Sequence, residues 1–170
     1  MKDIMNTLMP TSPRPTRTTT AGPVTRLLRW LGLLGALAIT AWILVTYPGL
    51  PETIPTHFDI TGTADAWGSK TSILVLGGVM MLLSAGLALL STKPRAFNYP
   101  LVVTEHNAQA IYREGERMMV WLLLSMQLIY VSLVRSVLLA GDGGVLLILG
   151  MAAMLGSVVV GIVRLVRAGR

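Results

Sequence analysis

The side chains best suited to chemistry lie together in one polar segment, between the first two apolar stretches of the sequence. His57, Asp59 and Asp65 carry imidazole and carboxylate groups, which are groups that bind divalent metals such as zinc. Residues two apart in a strand point to the same face, so a strand would place His57 beside Asp59. The competing interpretation is that these side chains hydrogen-bond the backbone of their own loop, as aspartate does in turns. The spacing is looser than that of known zinc motifs, so we favour the second interpretation and predict no metal and no other cofactor.

The rest of the sequence shows no set of residues that indicates an enzyme. No nucleophile stands beside a candidate base, and no glycine-rich phosphate loop is present. The chain has no cysteine, which excludes disulfides, thiolate metal sites and thiol catalysis. The formal net charge is +6, but the basic residues flank apolar stretches, which is typical of membrane proteins and not of nucleic-acid binding. We therefore predict a protein that is not an enzyme and that has no nucleic-acid partner.

The elements that must position these residues are apolar helices. Hydrophobic residues make up 53 % of the chain and charged residues 13 %, against roughly 25 % charged residues in soluble proteins. Four apolar stretches, each close to the roughly 20 residues that span the hydrocarbon of a lipid bilayer, cover residues 27–47, 72–91, 118–140 and 145–163. The predicted fold is all-α: a polytopic membrane protein whose four-transmembrane-helix bundle carries a structured extracytoplasmic loop at 48–71, between helices 1 and 2. Residues 1–25 are rich in proline and threonine, which predicts a disordered basic cytoplasmic tail before a transmembrane domain over 26–170.

The distribution of basic residues predicts the orientation of the chain. Lysine and arginine are concentrated in the N-terminal tail, in the segment 92–117 and in the last residues, whereas the loop 48–71 contains only Lys70. Because basic residues stay on the cytoplasmic side, we predict cytoplasmic N and C termini, a cytoplasmic segment 92–117 and an outward-facing loop. The run 36–38 resembles a signal-peptide cleavage site, but the apolar stretch continues beyond it, so we predict an uncleaved anchor.

The outward-facing loop has a restricted course and an acidic character. Three prolines in its first half hold the backbone in an extended path. Trp67 and Lys70 are residue types that settle at the level of the lipid headgroups. Three carboxylates against one lysine give the loop a net charge of −2 with histidine neutral. This charge favours cationic ligands, including an extracytoplasmic cationic peptide.

Small and polar residues within the apolar stretches indicate how the helices pack. Small residues recur every four positions on the first and fourth spans: Gly32, Ala36, Thr40, Ala153, Ser157 and Gly161. Such residues let helices approach closely, and we favour packing within the bundle over contact with a membrane-protein partner or a homo-oligomer. Gln127 and Arg135 are intramembrane polar residues on one side of the third span. Arg135 either reaches outward to Asp142 and the acidic loop, which we favour, or lines a polar cavity for an anion.

The segment 92–117 begins with prolines that block a helix and then becomes suited to one. Thr104 can cap a helix that starts at Glu105 and continues into the third span. Tyr112 would then lie at the inner membrane face, together with two arginines. These side chains either anchor in the lipid headgroups, which we favour, or dock a cytoplasmic partner.

The order of residues from the loop to the third span matches a known pattern. The matching residues are Tyr47, Leu50, Pro51, Ile54, Pro55, His57, Phe58, Asp59, Gly62, Asp65, Trp67, Gly68, Ser69 and Lys70, then Asn98, Tyr99, Pro100, Thr104, Glu105, Asn107, Ala108, Tyr112 and Trp121. This run resembles a bacterial membrane domain of unknown function that is found in SdpI-like proteins. Ala64 departs from the proline that the family often has before its aspartate, and the longer SdpI-like immunity proteins continue with further spans. The resemblance implies a multi-pass protein of the bacterial cell (inner) membrane.

Two non-enzymatic functions follow. SdpI-like proteins include immunity proteins that protect a cell against its own secreted antimicrobial peptide, and the group takes part in signalling. The resemblance implies a loop motif that binds a peptide or another ligand, with the residues His57, Phe58, Asp59, Gly62, Asp65, Trp67 and Lys70. It also implies a second, cytoplasmic motif, with the residues Asn98, Tyr99, Pro100, Glu105, Asn107 and Tyr112. The alternative is a structural or accessory subunit of a larger membrane complex such as a transporter. A metal-dependent membrane enzyme that uses His57, Asp59 and Asp65 ranks last.

Overall fold

The structure is a computed structural model that describes residues 14–59, 63–139 and 144–170. The described chain is mostly helical and contains one small antiparallel sheet. Its elements in order are α1 (Pro23–Thr46), a 3-10 turn (Tyr47–Gly49), β1 (Thr53–Phe58), β2 (Ala64–Ser69), α2 (Thr71–Ser91), a second 3-10 turn (Pro94–Ala96), α3 (Ala108–Leu138) and α4 (Gly144–Ala168). Residues 1–13 of the predicted tail, Gly62 of the loop motif and Asp142 lie outside the described residues.

Each of the four long helices is long and apolar enough to cross a membrane. They coincide with the four predicted spans, so the chain has the architecture of a multi-pass membrane protein. Two helices, α1 and α3, start several residues earlier than their predicted spans. Pro23 begins α1, since proline suits the first helical position, where its missing N–H is not needed. α3 begins at Ala108, well before the apolar stretch, because Ala108, Ile111 and Tyr112 are buried in a second hydrophobic cluster with Leu165.

The third long helix is the centre of the bundle. α1, α2 and α3 pack against one another, and α4 packs chiefly on the opposite side of α3. The main core lies between the first three helices and the hairpin, and its buried residues are Ile39, Ile43, Ile54, Ile73, Met80, Ala88, Leu123, Met126, Tyr130 and Val134. This arrangement leaves α4 with large exposed side chains along most of its length.

Both small-residue stripes are contact faces within the chain. A β-carbon added to Gly32 would lie 2.7 Å from Cγ of Leu123 in α3, so only glycine allows this approach. On the fourth helix, Oγ of Ser157 lies 3.3 Å from Oγ of Ser125 in α3. Gly161 is buried against Met118, also in α3. The predicted packing within the bundle is therefore confirmed for both stripes.

The loop between the first two helices contains β1 and β2, so the fold is not purely all-α. Prolines prevent a helix here, and the strands bond to each other instead. Ile54, with 2 % of its surface exposed, inserts into the core between the helices. We call this end of the bundle, with residues 47–72, the hairpin end.

The opposite end collects residues 14–22, 92–107 and 164–170, and we call it the basic end. The predicted disorder over 1–25 is wrong for residues 14–25. Residues 14–22 run in an extended course across the end of the bundle, where side chains of α3 bond their backbone. We call them the strap. The predicted helix start at Glu105 is also wrong, because α3 begins at Ala108 and the preceding residues form a turn.

Candidate functional site

The hairpin carries two irregularities in its strand pairing. Pro55 pairs with Trp67, His57 with Ala66 and Phe58 with Ala64. Thr56 in β1 and Asp65 in β2 therefore have no partner residue in the strand pairing. Such bulges bend a strand and redirect side chains. Here they bring Nδ1 of His57 within 2.5 Å of Oδ1 of Asp65.

Asp59 does not join His57 on a strand face, because β1 ends at Phe58. The Oδ1 atom of Asp59 instead accepts a hydrogen bond of 2.9 Å from the backbone N–H of Thr63. Its own backbone N–H donates to the carbonyl oxygen of Thr63, so Asp59 closes the hairpin turn. No three potential metal ligands converge within the described ranges of the chain. Asp59 makes the backbone hydrogen bond that the loop-bonding interpretation predicts, whereas His57 and Asp65 pair through their side chains.

Lys70 closes the other end of the hairpin. Its backbone N–H donates to the carbonyl oxygen of Glu52 at 2.9 Å, and its ammonium group lies 2.9 Å from Oε1 of the same residue. The ammonium group is also 5.4 Å from the ring centroid of Tyr47. The hydrogen bond to Glu52 raises the pKa of Lys70 above its ordinary value. Lys70 therefore links the end of the hairpin to the segment that follows α1.

The two faces of the hairpin differ in exposure. Towards the bundle, Ile54 is buried and Phe58 half-buried, beside a cavity of about 210 Å³ against α2 and α3. The side chains of His57 and Asp65 are, by contrast, 67 % and 47 % exposed. The Trp67 side chain is also open, with 60 % of its surface exposed. The hairpin thus exposes an indole and a carboxylate–imidazole pair, while Ile54 holds it against the core.

The basic end contains a buried ionic cluster that sequence reasoning missed. Glu116 in α3 is 2 % exposed, and its carboxylate accepts hydrogen bonds from Arg17 of the strap and Arg29 of α1. Nε of Arg29 also donates to Oγ of Ser91 in α2, at 2.8 Å. The cluster therefore joins the strap to three helices. Glu116 lies one helical turn after Tyr112, but only the fold shows that this side of α3 is buried.

The strap covers the start of α3. Tyr112 is fully buried, and its hydroxyl donates to the carbonyl oxygen of Pro15 at 2.9 Å. The side-chain amide of Gln109 donates to the carbonyl oxygen of Thr16 and accepts from the backbone N–H of Thr18. The interpretation of Tyr112 as a docking or headgroup-anchoring residue is therefore wrong, because the chain's own strap lies over it.

Some residues of the predicted cytoplasmic motif hold the chain together through hydrogen bonds, and the others are exposed. Asn107 holds the segment together, since its Oδ1 accepts from the backbone N–H of Thr104 and its Nδ2 donates to the carbonyl oxygen of Gly169. Tyr99 donates to the carbonyl oxygen of Pro94 at 2.8 Å, and burial raises the pKa of its hydroxyl. The remaining members are exposed: Asn98, Pro100 and Glu105. Within the motif, Tyr99 packs against Tyr112, with ring centroids 6.1 Å apart.

The two intramembrane polar residues are also apart. Nε2 of Gln127 donates to Oγ of Ser84 and to the carbonyl oxygen of Leu123, both at 3.1 Å. Arg135 lies eight residues further along α3, about 12 Å away along the axis. The two side chains therefore do not form one polar site. Asp142, the predicted partner of Arg135, lies outside the described residues.

Comparison with known proteins points to the hairpin end. Residues 34–81 match the model of a family described as a domain of unknown function, DUF1648. They cover the second half of α1, the whole hairpin and the first half of α2. The chain is similar to an uncharacterized protein of Archaeoglobus fulgidus, at 38 % identity over 65 residues. This similarity covers 38 % of the chain and about a third (35 %) of the relative's length. No solved structure matches the chain.

Proposed function

We propose that the protein is a non-enzymatic, multi-pass protein of the bacterial cell membrane whose hairpin binds an extracytoplasmic peptide, in immunity or signalling. The excess of lysine and arginine at the opposite end supports an outward-facing hairpin and cytoplasmic termini. The observation that carries the proposal is the contrast between the two faces of the hairpin. One face is inserted in the core through Ile54, and the other exposes Trp67 and the His57–Asp65 pair.

The hairpin also offers a backbone edge to an extended peptide. β1 and β2 pair with each other, and no third strand joins them in the described parts of the chain. β2 contains no proline, whereas β1 contains Pro55 and lies against the bundle. An edge strand with free N–H and C=O groups can accept a peptide as an added strand. The three carboxylates of the loop favour a cationic peptide among those that fit.

A complementation experiment tests the proposal. A strain that lacks the protein should become sensitive to the peptides in its own conditioned medium, and the wild-type chain should restore resistance. Trp67→Ala should fail to restore it, because the indole is the largest exposed group of the hairpin. Trp30→Ala is the matched control, since Trp30 is 63 % exposed but lies on α1 near the basic end. Full resistance with Trp67→Ala, or no sensitivity in the deleted strain, would contradict the proposal.

One observation favours the alternative of an accessory subunit in a larger membrane complex. Only 11 % of the most apolar part of α4 is buried, against 39 % for α3. An exposed helix could contact another membrane protein, although the small-residue stripes are already used within the chain. Purification in a mild detergent separates the two functions. A second membrane protein in fixed ratio, released by Ile148→Ala and Leu155→Ala, would support the accessory role.

A further inference from the structure

A groove with a volume of about 750 Å³ runs along α3, between α1 and α4. It exists because α4 packs on α3 and leaves the surface towards α1 uncovered. Apolar and small residues line most of its length: Leu31, Gly35, Trp121, Leu128, Gly156 and Val160. A β-carbon added to Gly156 would meet no atom within 4 Å, so the groove is open at this position.

Charged side chains form one end of the groove, at the basic end of the bundle. Arg117 lies 2.6 Å from Oε1 of Glu114, while Arg164 of α4 lies 3.8 Å from Oε2 of the same residue. The second distance is too long for a hydrogen bond. The side chain of Glu114 is 15 % exposed, whereas those of Arg117 and Arg164 are 42 % and 55 % exposed. Arg117 and Arg164 are therefore more exposed than Glu114. Two arginines against one carboxylate give this end of the groove a net positive charge.

The position of these charges matches the boundary of a membrane. Arg117 directly precedes the predicted third span, and Arg164 directly follows the predicted fourth span. From Arg117 to Gln127, at the far end of the groove, α3 rises about 15 Å. This distance is half of the roughly 30 Å thickness of the hydrocarbon core, which is the depth of one leaflet. The groove therefore has its charges at headgroup level and its apolar length at acyl-chain depth.

We propose that this groove binds one phospholipid with an anionic headgroup, from the leaflet at the basic end. Arg117 and Arg164 hold the headgroup phosphate, for which guanidinium groups are well suited. An acyl chain lies along α3 in the apolar part. A helix from a partner fits less well, because an apolar helix carries no anion to meet Arg117 and Arg164 at the membrane boundary. A second copy of the chain would also bring its own arginines to a site that is already positive.

The test is native mass spectrometry of the full-length protein after incubation with equal amounts of phosphatidylglycerol and phosphatidylcholine. The wild type should retain one phosphatidylglycerol per chain, about tenfold in preference to phosphatidylcholine. Arg117→Gln with Arg164→Gln should remove this preference. Arg113→Gln with Arg167→Gln is the matched control, because it makes the same change in charge at the same end and outside the groove. This control should keep the preference.

A second pair of variants tests the apolar part of the groove. Gly156→Leu fills the groove and should abolish retention of either lipid. Gly86→Leu is the matched control, since it is a similarly open position on α2 and should retain the lipid. Equal retention of the two lipids by the wild type, or equal loss in both arginine pairs, would overturn the proposal. Disulfide-linked dimers of Gly156→Cys, in a chain that has no other cysteine, would also overturn it, because a second copy would then fill the groove.

Discussion

The two ends of the bundle hold their charged side chains in opposite ways. At the hairpin end, the His57–Asp65 pair is exposed to solvent, with side chains 67 % and 47 % exposed. At the basic end, the side chain of Glu116 is 3 % exposed, between two arginines. Exposed ion pairs contribute little to folding, whereas breaking a buried pair leaves an uncompensated charge. Removing one partner of the ion pair should therefore destabilise the fold at the basic end and have little effect on stability at the hairpin end.

The two ends also differ in what covers them. The strap lies over Tyr112 and supplies Arg17 to the cluster, so the chain itself occupies the centre of the basic end. The outer face of the hairpin has no such cover among the described residues. Substitutions at the basic end should therefore change mainly the stability of the fold, and substitutions at the hairpin end mainly its binding.

The largest expected effect is that of Glu116→Gln. The substitution leaves Arg17 and Arg29 without their carboxylate, and we expect a loss of about 3 kcal/mol in the free energy of unfolding. Titration with denaturing detergent, followed by circular dichroism, measures this value. Glu105→Gln removes a carboxylate from an exposed position at the same end and should change the free energy by less than about 0.5 kcal/mol. Equal losses in the two variants would show that the buried cluster does not stabilise the bundle.

The next effect is that of Ile54→Ala. The substitution removes the side chain that anchors the hairpin in the core, and we expect a loss of about 2 kcal/mol in the free energy that keeps the hairpin closed. Hydrogen exchange of the β1 and β2 amides measures local opening of the hairpin. Trp67→Ala, on the exposed face, should leave this exchange unchanged. Faster exchange in Trp67→Ala than in Ile54→Ala would contradict the assignment of the two faces.

A smaller effect is expected for Tyr112→Phe. The substitution removes the hydrogen bond to the carbonyl oxygen of Pro15 and should cost about 1 kcal/mol. The loss should be local, so the amides of Thr18 and Thr19 should exchange faster while those of the hairpin do not change. Tyr47→Phe at the hairpin end is the control, because a phenylalanine ring still faces the ammonium group of Lys70. An unchanged strap in Tyr112→Phe would mean that this bond does not hold it.

The smallest effect on stability is expected for Asp65→Asn. The His57–Asp65 pair is exposed, so its loss should change the free energy of unfolding by less than about 1 kcal/mol. The same variant should weaken the resistance measured in the complementation experiment. A destabilisation as large as that of Glu116→Gln would remove the contrast between the two ends.

Much of the helical architecture could be predicted because apolar length is a local property. Each predicted span corresponds to a helix, and the spacing of Gly32 and Gly161 with their neighbours predicted contact faces that pack on α3. The hairpin could be predicted only in part. Prolines excluded a helix, but the strand bounds and the bulges at Thr56 and Asp65 depend on how two strands align.

The candidate site and the basic end were harder to predict, because their contacts join residues far apart in the chain. Asp59 was grouped with His57 by spacing, whereas in the fold it bonds Thr63 and the imidazole meets Asp65. The residues before Pro23 have the composition of a disordered segment. Residues 14–22 nevertheless lie against α3, where Gln109 and Tyr112 bond their backbone.

Hydropathy and proline act locally, so the sequence alone predicted four helices long and apolar enough to cross a membrane and a polar loop after the first of them. Which charged side chains are buried and which stay exposed depends on the tertiary structure. Glu116 and Asp65 are both carboxylates with a nitrogen partner, and nothing in their local sequence ranks them. Glu116 is enclosed by the strap, α1 and α3, whereas Asp65 stands on the open face of a two-stranded sheet. Burial is set by the elements that meet around a side chain, and those elements come from distant parts of the chain.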